Sequence, residues 1–146
     1  MALLYEDLTG KILEACFEVS NELGAGFLES VYHKALIIAL CQKGLHIRSQ
    51  APISVMFREQ NVGEFYADLL VEEKVIVELK AVSALAKEHV AQVINYLYAS
   101  GMEVGLLVNF GTSKIEYRRL ERRDRNRVKE ENQKYDLSSP SSPSSL

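Results

Sequence analysis

The chain has 146 residues, 47% of them hydrophobic and 25% charged, a balance that suits one soluble folded domain and excludes a disordered or fibrous chain. A formal net charge of −3 and a pI near 5.7 exclude a surface coated in positive charge for nucleic acid, so any such contact is local. No apolar run approaches the roughly 20 residues of a membrane helix, and "MALLYEDLTGK" has acidic residues where a secretory signal has a basic region and a longer apolar stretch; a cytoplasmic location without a membrane partner is expected.

Leu8, Ile12, Ala15, Cys16 and Val19 recur at helical spacing between Tyr5 and Leu23, and Gly24 is placed to stop that helix. A second helix is predicted over Leu28–Lys43, with Val31, Ala35, Ile38 and Ala39 as its buried stripe and Gly44 at its end. Cys16 and Cys41 fall in these helices with no CxxC spacing and no neighbouring His in a ligand pattern, which predicts two buried reduced thiols rather than a zinc site.

"HIRSQAPISVMF" is extended in character, with Pro52 marking an edge strand or a strand start, and "REQNVG" supplies turn residues before Glu64. Strands are predicted over Glu64–Val71 and Val75–Lys80. A helix from about Ala84 to Ser100 stops at Gly101, then "EVGLLVNF" reads as a short buried strand and "KIEYRRL" as the last one. The order ααβββαββ implies an α/β fold, a mixed central sheet flanked by helices. The folded domain is expected to span residues 1–120. Residues 121–146 are dense in charge and then rich in Ser and Pro, as a disordered tail would be.

The hairpin "FYADLLVEEKVIVELKAV" carries charges inside otherwise apolar strands. Side chains alternate along a strand, so Glu78 and Lys80 share a face. With Glu72, Glu73 and Lys74 as a three-residue loop, Val71 pairs with Val75 and Asp68 falls opposite Glu78, at a Cβ separation of roughly 5 Å. Two facing carboxylates destabilise a sheet unless something compensates, and Mg²⁺ does so with one or two carboxylates, leaving other positions to water and phosphate. Solvent-facing ion pairs on a half-exposed hairpin are the ordinary alternative, and spacing does not choose between them.

His89, Gln92 and Tyr96 lie on one face of their helix, as do Glu29 and Tyr32 on the second helix. A helix following directly after the Glu78/Lys80 strand packs back over its sheet, which places Gln92 and Tyr96 near the carboxylates. Glu29 is either a third acidic ligand or a charge that complements the helix dipole.

Taken as a set, "GFLESVY" (Gly26, Glu29, Tyr32), "ADLL" (Asp68), "VELK" (Glu78, Leu79, Lys80) and "AQVINYL" (Gln92, Tyr96) closely resembles the GxxExxY protein family, which belongs with the PD-(D/E)XK nuclease superfamily. The resemblance runs from about Leu8 to Leu120. Ala25 stands where that family commonly has proline, and "NFGTSKIEYRRL" is shorter than the corresponding segment; neither departure touches the metal chemistry. The resemblance implies a restriction-endonuclease-like αβββαβ core with an extra N-terminal helix. It also implies Asp68, Glu78, the Leu79 carbonyl and Glu29 as metal ligands, Lys80 assisting the attacking water, and Gln92 with Tyr96 as the QxxxY motif of the RecB-like branch.

The expected activity is Mg²⁺- or Mn²⁺-dependent hydrolysis of phosphodiester bonds in nucleic acid, DNA foremost. A catalytically silent binding module on the same fold is the alternative. Arg118, Arg119, Arg122, Arg123, Arg125, Arg127 and Lys129 are the candidate phosphate contacts, or else a solvated helix interleaved with Glu121 and Asp124. A homodimer suits cutting both strands of a duplex.

Overall fold

A computed structural model of the chain describes residues 3–122. The elements are α1 (Glu6–Leu23), α2 (Glu29–Gln42), β1 (Ile47–Phe57), β2 (Gln60–Val71), β3 (Val75–Lys80), α3 (Lys87–Ser100), β4 (Val104–Asn109) and β5 (Glu116–Glu121). This is the predicted order. The five strands form one sheet in the order β1-β2-β3-β4-β5. Only β3 and β4 are parallel, joined through α3; the other neighbours are antiparallel, so the sheet is mixed.

Helices cover both faces. Ile12, Ala15, Cys16 and Val19 of α1 and Tyr32, Leu36 and Leu40 of α2 pack against Leu69, Val71, Val75, Val77 and Leu79. On the opposite face Val93, Tyr96 and Leu97 of α3 meet Ala51, Ile53, Leu70, Ile76 and Leu107. β4 is buried along its whole length, which is why its sequence is a continuous apolar run rather than an alternation. A Cβ on Gly105 would lie 2.8 Å from Val93 Cγ1, so α3 lies this close to β4 because the side chain is missing.

Four expectations are corrected. The buried row of α2 is Tyr32, Leu36 and Leu40, whereas Ile38 is 59% exposed; the helix is apolar on most sides, so periodicity alone does not select a face. β2 begins at Gln60, because the turn is only Arg58–Glu59, both at positive φ (49° and 68°) without a glycine to announce it. The third helix begins at Lys87 rather than near Ala84. Cys16 is buried but Cys41 is exposed, and both are free. Pro52 does lie in an edge strand. The expectations for Arg123, Arg125, Arg127, Lys129 and the Ser/Pro tail fall outside the described residues.

Two irregularities meet at Asp68. The β1–β2 ladder passes from Ser49–Leu69 to Ala51–Ala67 without a Gln50–Asp68 pair, and Gln50 has φ 54°. Along β2, Ala67 belongs to the α3-side core and Leu69 to the α1/α2-side core, so the strict alternation of a flat strand breaks between them.

Candidate active site

The hairpin turn is built as expected. Lys74 N–H donates to the Val71 carbonyl at 3.0 Å, and Glu72 and Glu73 both sit at positive φ (56° and 54°). Such backbone is costly without glycine, and neighbouring contacts hold it. Glu72 N–H donates to the His46 carbonyl at 2.8 Å, and Glu72 Oε2 accepts from His46 N–H at 2.6 Å. From this turn the β2–β3 ladder runs Val71–Val75, Leu70–Ile76, Leu69–Val77, and there it ends.

One step further, at Asp68 and Glu78, the two strands exchange bonds through side chains instead of backbone carbonyls. Asp68 N–H donates to Glu78 Oε1 at 3.0 Å, and Leu79 N–H donates to Asp68 Oδ2 at 2.8 Å. The expected juxtaposition is therefore present, just where β2 leaves β3.

Glu78 is 3% exposed. Burial, above all, pushes its carboxyl up to about 9, with the Asp68 charge and a hydrogen bond between the two carboxyl groups adding to the effect. Among the described residues, no salt bridge includes Asp68 or Glu78. Lys80 Nζ donates instead to Gln92 Oε1 at 3.3 Å, and Gln92 Nε2 donates to the Tyr96 hydroxyl at 3.1 Å. The half-exposed ion-pair alternative does not describe this hairpin, because Glu78 is buried and Lys80 is turned to α3. Burial, then the charges of Glu78 and Asp68, raises the Tyr96 hydroxyl as well, so Gln92, Tyr96 and Lys80 share one end of the sheet with the acidic pair.

The donor set fits a divalent cation. Two hard carboxylate oxygen donors face each other in a largely dry position, and a cation is the partner that lets both ionise. Glu29 opens α2 and is exposed. Partial desolvation of its carboxyl, followed by the Asp68 charge, raises its pKa, while Lys80, His33 and His89 pull it down. It is thus within electrostatic reach of Asp68 and Lys80. Among the described residues, however, no group of three or more His, Cys, Asp or Glu side chains gathers as a metal cluster, so the structure does not bring Glu29, Asp68 and Glu78 onto one point. His89, on the same helix face as Gln92, is occupied at the start of α3, where its Nδ1 accepts the Ala86 N–H at 2.9 Å.

Supporting residues give no such sequence signal. Tyr32 is fully buried, stacks on Phe110 with ring centroids 4.9 Å apart, donates from its hydroxyl to the Gly24 carbonyl at 2.6 Å and accepts the Phe27 N–H at 3.1 Å. It ties down the loop that delivers Glu29. Asn109, also fully buried, accepts from Val82 N–H at 3.0 Å and donates to the Val82 carbonyl at 2.9 Å, fixing the chain just after Lys80. Asn109 also donates to Glu116 Oε1 at 3.0 Å. Gly111 completes this clasp: a Cβ there would lie 2.2 Å from the Val82 carbonyl oxygen. Only the GxxExxY spacing pointed to Tyr32, and nothing pointed to Asn109.

Compared with known proteins, residues 6–120 match the pattern of the PD-(D/E)XK nuclease superfamily. Among solved structures, the chain is similar to SSO0001 at 16% identity and a TM-score of 0.53, covering 94% of this chain and 69% of that one. It is also similar to an alkaline exonuclease, LHK-Exo from Laribacter hongkongensis, at 12% identity and a TM-score of 0.51, covering 96% of this chain and 81% of that one. At these identities the likeness speaks for the fold. No curated protein matches the chain.

Proposed function

The chain belongs to the PD-(D/E)XK nuclease superfamily, and we propose that it is a metal-dependent nuclease hydrolysing phosphodiester bonds of nucleic acid, DNA foremost. The observation that carries this reading is the pairing of buried Glu78 with partly buried Asp68, with Lys80 beside them, held by bonds to the backbone of the opposite strand and lacking a salt-bridge partner among the described residues.

Asp68 and Glu78, with the Leu79 carbonyl, are the residues that would hold Mg²⁺ or Mn²⁺, and Glu29 adds a third negative charge at the mouth. When bound, such an ion stabilises negative charge on phosphate oxygens and lowers the pKa of water. Lys80, oriented by Gln92, offers its ammonium to the attacking water or to a phosphate oxygen as charge develops. The Tyr96 hydroxyl, whose pKa burial raises further above the ordinary tyrosine value, is neutral beside the acidic pair and anchors Gln92.

Within the superfamily we place the chain with the GxxExxY proteins and the RecB-like branch, on Gly26/Glu29/Tyr32 and Gln92/Tyr96. Residues 1–120 form the nuclease domain in this reading, and residues 121–146 the charged segment and tail. It works in the cytoplasm, as a homodimer where both strands of a duplex are cut. Among the described residues no helix is long and apolar enough to cross a membrane. The rival, a silent binding module, is disfavoured because Asp68, Glu78 and Lys80 are all retained.

Purified protein should cut DNA with Mg²⁺ or Mn²⁺ and not with EDTA, and Asp68→Asn or Lys80→Ala should lower the rate by about a hundredfold or more. Equal cleavage by wild type and both variants would assign the activity elsewhere. Calorimetric titration with Mg²⁺ separates the rival, since an Asp68- and Glu78-dependent ion is expected only of a working site.

A further inference from the structure

A groove of about 760 Å³ opens between the β1–β2 hairpin and α3, lined by Val55, Met56, Phe65, Asn95 and Tyr98 and sharing Gln92 and Tyr96 with the site above. We propose that this groove receives one unpaired nucleobase of the strand whose phosphate lies at Asp68 and Glu78, so that the protein acts on single-stranded or frayed nucleic acid. This inference rests on the nuclease reading and names the substrate class of that site.

The lining sets the occupant. Phe65 is 46% exposed and Met56 is 56% exposed, so an apolar and aromatic surface stands open to water. The Phe65 and Tyr96 rings lie 5.8 Å apart and tilted by 39°; Tyr96 is buried beneath, and the open ring surface for a further flat group is that of Phe65. Among the described residues, Glu88 is the one charged residue of the lining, with no Lys or Arg. A backbone phosphate would meet repulsion there, whereas the neutral face of a base stacks on aromatic side chains whatever its sequence. Asn95 brings an amide to the lining, a group that pairs with base edges.

Continuity fixes which base. Gln92 accepts from Lys80 and donates to Tyr96, so the groove begins where the phosphate-directed chemistry ends. A paired base inside a duplex is stacked between its neighbours and does not reach such a groove without being extruded. An unpaired one does. The open surface at Phe65 and Met56 therefore acts as a filter on strand state rather than on sequence.

The test uses the full chain carrying Asp68→Asn to prevent turnover, with a short fluorescein-labelled oligothymidine, an abasic oligonucleotide of the same length and charge, and a blunt duplex, measured by anisotropy in Mg²⁺. Oligothymidine should bind about tenfold more tightly than the abasic strand, the scale of one stacked base. Adding Phe65→Leu should erase that difference, and Phe65→Tyr should keep it. The leucine variant retains apolar bulk, and a circular dichroism melt matching the parent shows that it is folded. Equal binding of the thymidine and abasic strands, or a preference that survives Phe65→Leu, overturns the proposal. A concentration-dependent dimer abolished by Phe65→Leu would place a second copy of the chain in the groove and also overturn it. Metal-dependent cleavage by the wild type without any base preference defeats the groove while the nuclease stands; base preference without cleavage supports the groove and defeats the nuclease.

Discussion

A carboxyl that is 3% exposed and hydrogen-bonded to a second carboxyl keeps its proton until a cation replaces it. Glu78 has an ordinary value of 4.5 and is pushed up to about 9 in the fold. Between those values the folded chain binds more protons than the unfolded one, so stability falls as pH rises through the window. Metal-free protein should therefore lose stability as pH rises from 4.5 to about 9, by at most about 1.4 kcal/mol per pH unit from this group. Urea unfolding across that range is the measurement, and Glu78→Gln should flatten the slope. Alternation and loop length were enough to bring Asp68, Glu78 and Lys80 onto one face from the sequence. They did not show that Glu78 would be buried, since burial comes from α3 and from neighbouring strands. Asn109 was illegible for a related reason: its partners Val82 and Glu116 belong to segments on either side of it, and a single buried amide leaves no period to read.

At the scale of elements, α2 shows how a residue acts through a loop. Tyr32 lies in the buried row of that helix and reaches back to Gly24 and Phe27, so the helix is docked on the sheet and its N-terminal loop is pinned by one side chain. Tyr32→Phe keeps the stacking on Phe110 and hands the backbone groups of two exposed residues, Gly24 and Phe27, to water, at a cost of about 0.5–1.5 kcal/mol per hydrogen bond lost. The expected result is a lower thermal midpoint and slower cleavage with unchanged Mg²⁺ affinity at Asp68 and Glu78, read by calorimetry. The sequence suggested another row, Val31, Ala35, Ile38 and Ala39, because a helix apolar on most sides offers several stripes of similar quality and only the partner surface chooses. Element order was more legible than element faces. Gly24 and Gly101 end their helices as predicted, whereas the Arg58–Glu59 turn lacked glycine and shortened the reading of β2.

For the whole molecule, the mixed sheet brings α2 from one face and α3 from the other to the end where β2 and β3 part, which is how Glu29, distant in sequence, and Gln92, on the helix that follows β3, come to flank the hairpin. The approach of Gln92 was legible from the strand-to-helix connection; that of Glu29 was legible only through the family resemblance, since no local pattern encodes which ends of distant elements meet. Of the predicted phosphate contacts within the described residues, Arg119 is drawn inward to Glu121 and the Leu4 carbonyl. Arg123, Arg125, Arg127 and Lys129 are candidates for backbone contacts beside Arg118 and Arg122. Removing residues 123–146 should weaken DNA binding and reduce the slope of log affinity against log salt by about 0.7–0.9 for each phosphate that the shortened chain no longer neutralises. Anisotropy titrations at several salt concentrations measure it, and an unchanged slope would remove this segment from the interface.

The reciprocal bonds between parting strands have one more consequence. Each carboxylate of the pair accepts a main-chain proton from the opposite strand, Asp68 N–H on Glu78 and Leu79 N–H on Asp68. Any event that turns or discharges either acid is thus registered on an amide across the gap, and the nuclear resonance of those two protons makes the hairpin its own indicator of what occupies it.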